Sequence, residues 1–531
     1  MVTRRKFLKQ VSQVAALGTI ASNSNSTNLF SSESFSEKAQ SVNLIKNIPS
    51  VKNVILIIAD TLRWSHLGCY GSKTVSTKYI DEFARQSVVF DKAYTASFPT
   101  VPNRHDYLTG RYTYTYMGWA PLPQDEPTWA GVVGKSGMKS MMILDEPHIV
   151  EKGFYYNRDF TGWDWIRGQE GDNLNTAPSR ITSSADSSKI RGYNTAFQIH
   201  GRNIYWRQFE KDTFVAQTMQ KSIDWLERNY TSNPFFLYVD TFDPHEPWDA
   251  PPWYVDMYDP EYKGQVISYP QYWFANDFLT PSELNHCRAI YAAEVTMVDR
   301  WIGKLLQAIE DKGLFKNSMI VVTTDHGFLH GEHGIMGKAL IDRRGFVYCP
   351  LYEEVARIPM IIKHPDAAPF RTNAIVQPPD IMATALDLCN IQPPPGVHGK
   401  SFAGIFKGSK TTHRDFAITS PSIASNVLSA RVRTALNTPD WALHLTAQQR
   451  TEKQSELKEV DGISKNAREE FSRKIDERIP YKGALYNIKN DPEQKNNLYD
   501  SKPDIVKELR NQYVAYLKEL NTNPDYIKAW E

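Results

Sequence analysis

Apolar residues fall along this chain in four short unbroken runs, and each run stops abruptly at polar residues. Val54 to Ala59 runs into Asp60, and Met141 to Leu144 into Asp145, Glu146, Pro147 and His148. Phe235 to Val239 runs into Asp240 and the polar stretch to Pro247, and Met319 to Thr324 into Asp325 and His326. Runs without alternation fit strands covered on both faces, as in a parallel sheet. Helical periodicity lies between them. Val215, Met219, Ile223 and Leu226 precede the third run; Val295, Val298, Ile302, Leu305 and Ile309 precede the fourth, where Lys312-Gly313 reads as a stop. The alternation predicts an α/β sheet with helices on both faces. Ligands bind such sheets at the carboxyl ends of the strands, where these polar residues fall.

The pattern changes after about residue 405, where short strands with turns precede a charged segment, Glu452 to Arg478, and an amphipathic helix from about Asp504. The expected organisation is a signal and linker over 1–45, a catalytic domain over 46–404 and a smaller α+β subdomain over 405–531. A chain of 531 residues, 41% of them hydrophobic, can bury a core of that size. Lys+Arg is 61 and Asp+Glu 60, so no global charge draws nucleic acid or an anionic membrane, and an anionic substrate must be recognised locally. The four cysteines lack C-x-x-C spacing, which argues against a zinc knuckle and for free thiols. No segment after the first 45 residues reaches the ~20 apolar residues of a membrane span. The start, "TRRKFLK", resembles a twin-arginine export signal, with Arg4 and Arg5 as the pair. That resemblance implies handling by the twin-arginine machinery and a periplasmic or secreted location.

The candidate chemistry centres on "SFPTVPNRHDYLTG", Ser97 to Gly110. Pro102 suits a first helical position, which places Thr100 just before the helix. There it is either an ordinary N-cap or a nucleophile at a helix mouth that attracts anions. Asp60, Asp325 and His326, with the Thr100 hydroxyl, form a plausible ligand set for one divalent cation: Mn²⁺, Mg²⁺, Zn²⁺ or Ca²⁺. A bound dication would lower the pKa of the threonine hydroxyl. Arg104, one turn further along, can point to the same side. Lys338 and His245 are further anion-binding and general-acid candidates.

Five ordered motifs resemble the sulfatase family of the alkaline-phosphatase superfamily. They are "NVILIIADTLRWSHLGCYG" (53–71), "TVPNRHDYLTGR" (100–111), "PFFLYVDTFDPHEPW" (234–248), "TTDHGFLHGEHGIMGK" (323–338) and "YEEVARIPMIIKHP" (352–365). The resemblance implies a mixed, mainly parallel central sheet. It also implies an active-site histidine at His245, an anion-binding lysine at Lys338, and an anionic ester substrate, either a sulfated or a phosphorylated glycan or a small ester. The departures bear on the chemistry. Thr100 stands where the family carries the Cys or Ser that becomes formylglycine. Thr61 stands where a second Asp is usual, and His326 where arylsulfatases have Asn. Thr with Asp-His is similar to one-metal phosphotransferases and phosphonate monoester hydrolases, which favours phosphorus esters and a manganese-like ion. Sulfate ester hydrolysis, phosphoryl transfer and non-catalytic binding of an anionic glycan remain as alternatives. His333 is a candidate for a second metal, and Asp243 is either a ligand or a turn residue. Trp119, Trp129, Trp163, Trp165, Trp206, Trp248, Trp253 and Trp273 are either sugar platforms or packing, and "TGWDWIRGQEGD" (161–172) is placed at the pocket border.

Overall fold

The computed structural model describes residues 51–178, 183–426, 433–447, 465–479 and 482–531. The twin-arginine-like segment with Arg4 and Arg5, its linker and much of the charged stretch after Glu452 lie outside the described residues.

Eight strands form the central sheet. They are β1 (Asn53–Ala59), β2 (Val88–Ala93), β4 (Lys139–Leu144), β5 (Gly162–Trp165), β6 (Phe235–Thr241), β7 (Ser318–Thr323), β8 (Met360–Lys363) and β9 (Phe370–Val376), in the order β9-β2-β8-β7-β1-β6-β4-β5. The four apolar runs are the four adjacent central strands, all parallel. Strand β8 runs antiparallel to both its neighbours, which makes the sheet mixed. Periodicity does not reveal the outer strands because they are not apolar throughout. The first four residues of β9, for example, are exposed or half-buried.

Register places the chemistry. Ile58 lies opposite both Asp240 and Thr323, so Asp60 and Asp325 leave adjacent strands side by side. The two faces of β1 feed two cores. Ile55, Ile57 and Ala59 pack with α2 (Phe214–Asn229) and α3 (Pro281–Asp311). Val54, Leu56 and Ile58 pack with α1 (Thr100–Thr109) and α4 (Pro378–Leu388). The start of α3 is fixed by Thr280, whose side chain accepts from Glu283 N while Glu283 accepts from Thr280 N. Its stop is Gly313, whose φ of 69° suits glycine.

Residues Pro49–Glu531 form one compact unit. Its carboxyl-terminal sheet contains β10 (Ala417–Pro421), β11 (Arg433–Asn437), β12 (Ala442–Thr446) and β13 (Ala484–Tyr486), with α5 (Pro503–Glu519) packed beside it. Its fifth strand is β3, Ser97–Phe98, the segment that leads into Thr100; Ser97 pairs with Ser420 and Phe98 with Pro421. Ser420 N donates to Ala96 O at 2.9 Å, and Thr419 Oγ1 to Thr95 O at 2.7 Å. Among the described residues no helix is long and apolar enough to cross a membrane. The four cysteines are unpaired and buried or half-buried.

Candidate active site

Helix α1 begins two residues earlier than its proline suggests. Thr100 is its first residue and Pro99 its N-cap, so Thr100 is not the cap. The first helical hydrogen bond runs from Asn103 N to Pro99 O at 3.0 Å. Pro102 therefore sits among the first residues, whose N–H groups lack helical partners, and its missing donor costs nothing there. Asp106 holds the turn by accepting from Ser97 N at 2.6 Å, Ser97 Oγ at 2.7 Å and Thr113 N at 2.9 Å. Asn103 Nδ2 donates to Asp325 O at 3.1 Å and ties the helix to the end of β7. Thr100 is 2% exposed, and its hydroxyl accepts from Lys338 Nζ at 3.5 Å.

Asp60, Asp325 and His326 place one ligand atom each within 4.8 Å of one another, all buried. His326 Nδ1 lies 2.9 Å from Gly327 O and must carry the hydrogen there, so Nε2 presents a lone pair. That lone pair lies 3.3 Å from Asp325 Oδ2, itself an acceptor. Asp60 Oδ1 is buried without a hydrogen-bond partner. Facing lone pairs and an orphaned carboxylate oxygen fit a divalent cation. Burial and the neighbouring Asp325 charge push Asp60 well above the usual carboxylate range. Burial also opposes the Asp325 charge, but the charges of Arg104 and Lys338 outweigh it and hold Asp325 ionised. Burial, reinforced by Lys338, lowers His326 to about 3 against the pull of Asp325. Thr61, β-branched, takes a φ of 57° in this turn and donates its N–H to Asp325 Oδ1 at 3.1 Å.

Arg104 is fully buried and faces carboxylates. Nη1 pairs with Asp60 at 2.9 Å and with Asp325, Nη2 with Asp240 Oδ1 at 2.8 Å, and Nε with Asp240 Oδ2 at 3.1 Å. The expectation that it grips the substrate anion is therefore corrected. Four residues along α1 from Thr100, it does share that residue's side, but its donors go to the carboxylates at the strand ends. Lys338 holds the central position. Its ammonium lies 3.1 Å from His245 Nε2 and 3.2 Å from His326 Nε2, besides its contact with Thr100. His245 Nδ1 donates to Glu246 O at 2.6 Å, which turns Nε2 inward, and Phe242 stacks on the ring at 4.1 Å. Burial and Lys338 hold His245 well below its usual range.

Other candidates lie outside this cluster. His333 stacks on Tyr352 at 3.5 Å and approaches Glu354 at 3.6 Å. Asp243 accepts from Val215 N at 3.0 Å and Gln169 Nε2 at 2.7 Å, as a structural turn residue. Trp119, Trp163, Trp206 and Trp253 are exposed, while Trp129 and Trp248 are buried. The stretch 161–172 reaches this region through Gln169 and through Glu170, which accepts from His148 at 3.0 Å. Sequence reasoning assigned no role to Asp240, Glu246 or Arg191. Asp240 carries a readable signal, since it ends an apolar run as Asp60 does. Arg191 carries none, because it comes from an irregular polar loop.

A sequence model described as Sulfatase matches residues 52–391. An arylsulfatase of Clostridium perfringens is 24% identical over 420 residues, with 68% of this chain and 80% of its own covered. An N-acetylglucosamine-6-O-sulfatase of Bacteroides thetaiotaomicron is 24% identical over 432 residues, covering 68% and 72%. Among solved structures, a protein in complex with its substrate D-glucosamine-2-N,6-O-disulfate superposes with a TM-score of 0.63 at 18% identity, covering 90% of this chain and 99% of that one. The phosphonate monoester hydrolase of Agrobacterium radiobacter superposes with a TM-score of 0.63 at 17% identity, covering 88% and 95%.

Proposed function

This chain belongs to the sulfatase family of ester hydrolases, and from that premise we propose an exported, metal-dependent enzyme that cleaves phosphate or phosphonate esters through Thr100. The observation that carries the reading is the convergence on Lys338 Nζ of Thr100 Oγ1, His245 Nε2 and His326 Nε2, at 3.5, 3.1 and 3.2 Å. Asp60, Asp325, His326 and the Thr100 hydroxyl would hold one divalent ion, manganese in preference. When bound, it supplies the positive charge that favours the threonine alkoxide. Arg104 ties the carboxylates of Asp60, Asp240 and Asp325 together and favours the ionised form of Asp325, and Lys338 binds the anionic oxygens of the substrate.

Thr100 Oγ1 forms the bond to phosphorus while the bond to the leaving oxygen breaks, its electron pair staying on that oxygen. The threonine proton passes through Lys338 to His245 Nε2, and His245 gives it to the leaving oxygen. Water then attacks phosphorus and gives a proton to His245 Nε2 while the bond from phosphorus to Thr100 Oγ1 breaks, its electron pair staying on Oγ1, and the proton returns to Oγ1 through Lys338. A threonine sulfate has no comparable exit, because a plain threonine cannot form the hydrate from which formylglycine expels sulfate. Sulfate ester hydrolysis is the second reading, favoured by the printed activities of the arylsulfatase and N-acetylglucosamine-6-O-sulfatase relatives.

The test is a paired assay of wild type and Thr100→Ala with Mn²⁺ on nitrophenyl phosphate, a phosphodiester, a phosphonate ester and nitrophenyl sulfate. Turnover of a phosphorus ester should fall by at least about 10³-fold in the variant. Sulfate turnover that survives Thr100→Ala would overturn the reading. In parallel, Mn²⁺ should raise the melting temperature of wild type and not of Asp60→Asn.

A further inference from the structure

His245 is backed by a buried ionic pair that the proposed reaction has not used. Glu246 Oε2 lies 3.4 Å from His245 Nδ1 and has no hydrogen-bond partner. The other oxygen, Oε1, accepts from Arg191 Nη2 at 2.8 Å and from the Tyr272 hydroxyl. The Arg191 guanidinium is clamped between the rings of Tyr269 and Tyr272, 4.0 and 4.4 Å from their centroids, and also reaches Glu170 at 3.3 Å. Such a clamp leaves the carboxylate one orientation, with its free oxygen toward the imidazole.

We infer that Glu246, oriented by Arg191 and Tyr272, is a positioning residue that stabilises His245 while His245 carries the proton in transit to the leaving group. The inference rests on His245 acting as the leaving-group acid of the reaction proposed above. The physical need is clear. Neutral His245 donates from Nδ1 to the Glu246 carbonyl and offers Nε2 as an acceptor. When Nε2 takes the threonine proton, the ring becomes an imidazolium in a buried site beside the Lys338 ammonium. The charged groups around that ring are Lys338 and Arg191, which oppose its charge, and Glu170 and Glu246, which favour it. Glu246 is the carboxylate within reach of the ring itself. The transfer then balances: the proton leaves Nε2 for the ester oxygen, that oxygen keeps the electron pair of the broken bond, and His245 returns to neutral. A carboxylate behind a proton-carrying imidazole is the arrangement of serine hydrolase triads.

The experiment measures kcat/KM across phosphate or phosphonate esters whose leaving groups run from nitrophenol to a simple alcohol. Wild type, His245→Gln, Glu246→Gln and Arg191→Met are compared. An alcohol leaving group needs the acid and nitrophenolate does not, so lost proton donation steepens the dependence on leaving-group pKa. Glu246→Gln should lose about 10-fold with the nitrophenyl ester and about 10³-fold with the alkyl ester. Arg191→Met should show the same steepening, because it leaves Glu246 without its counter-ion, and it decides the matter if Glu246→Gln fails to fold. Equal losses on all esters in these two variants, with His245→Gln steep, would overturn the role of Glu246 and leave the reaction standing. A flat profile in His245→Gln would remove the acid itself, and the inference with it.

Discussion

His148 sits among three carboxylates. Its Nε2 lies 3.0 Å from Glu170 and its Nδ1 3.8 Å from Glu151, while its backbone N–H donates to Glu146 at 2.8 Å. Burial disfavours its charge, but these groups outweigh burial and raise it to about 10. A folded pKa above the ordinary 6.5 means that the ion pairs stabilise the protein fully below about pH 6.5 and are lost as pH rises through about 10. His148→Gln should therefore cost about 2 kcal/mol near pH 6 and little near pH 11. Denaturation midpoints at the two pH values check this, and a constant deficit would sink it. At this scale the groups legible in the sequence are those that end strands or sit in the ordered motifs, and the fold brings Asp60, Asp325, His326, Thr100, His245 and Lys338 close together. The ionic partners behind them were not legible. Glu246 and Arg191 are 55 positions apart, and no local pattern says that their loops close on each other.

The elements follow the same division. Four central strands and the helices α2 and α3 were legible because burial on both faces, or on one stripe, leaves a periodic trace. Edge strands and the start of α1 were not, since half-exposed strands mix polar and apolar positions and a proline fits anywhere in a first turn. Helix α3 is 31 residues long and lines one face of the sheet. Its reciprocal cap at Thr280 and Glu283 satisfies two backbone groups that would otherwise lack partners. Thr280→Ala should lower stability by about 1 kcal/mol with no change in denaturant slope. Unchanged urea midpoints would show that the contacts along α3, rather than its cap, fix where it begins.

At the scale of the whole molecule, the sequence marks a change of character near residue 405 but not that the two parts share a sheet. Tyr112 and Tyr114, which follow α1, pack in one core with Leu436, Leu443 and Tyr513 from beyond that point. A chain ending at residue 404 leaves this core open and β3 without its partner. It should be insoluble, or soluble without cooperative unfolding, and a soluble 49–404 fragment with a sharp thermal transition would refute this. The pairing of β3 with β10 also has a consequence in time. Thr419 Oγ1 donates to Thr95 O across 324 residues of chain. At a synthesis rate of about 5–20 residues per second, the turn that carries Thr100 waits roughly 15–65 s for the strand that holds it. For that interval the nascent chain holds Thr100, the nucleophile proposed above, without the strand that supports its turn, and esterase activity should begin only after the last third of the polypeptide has emerged.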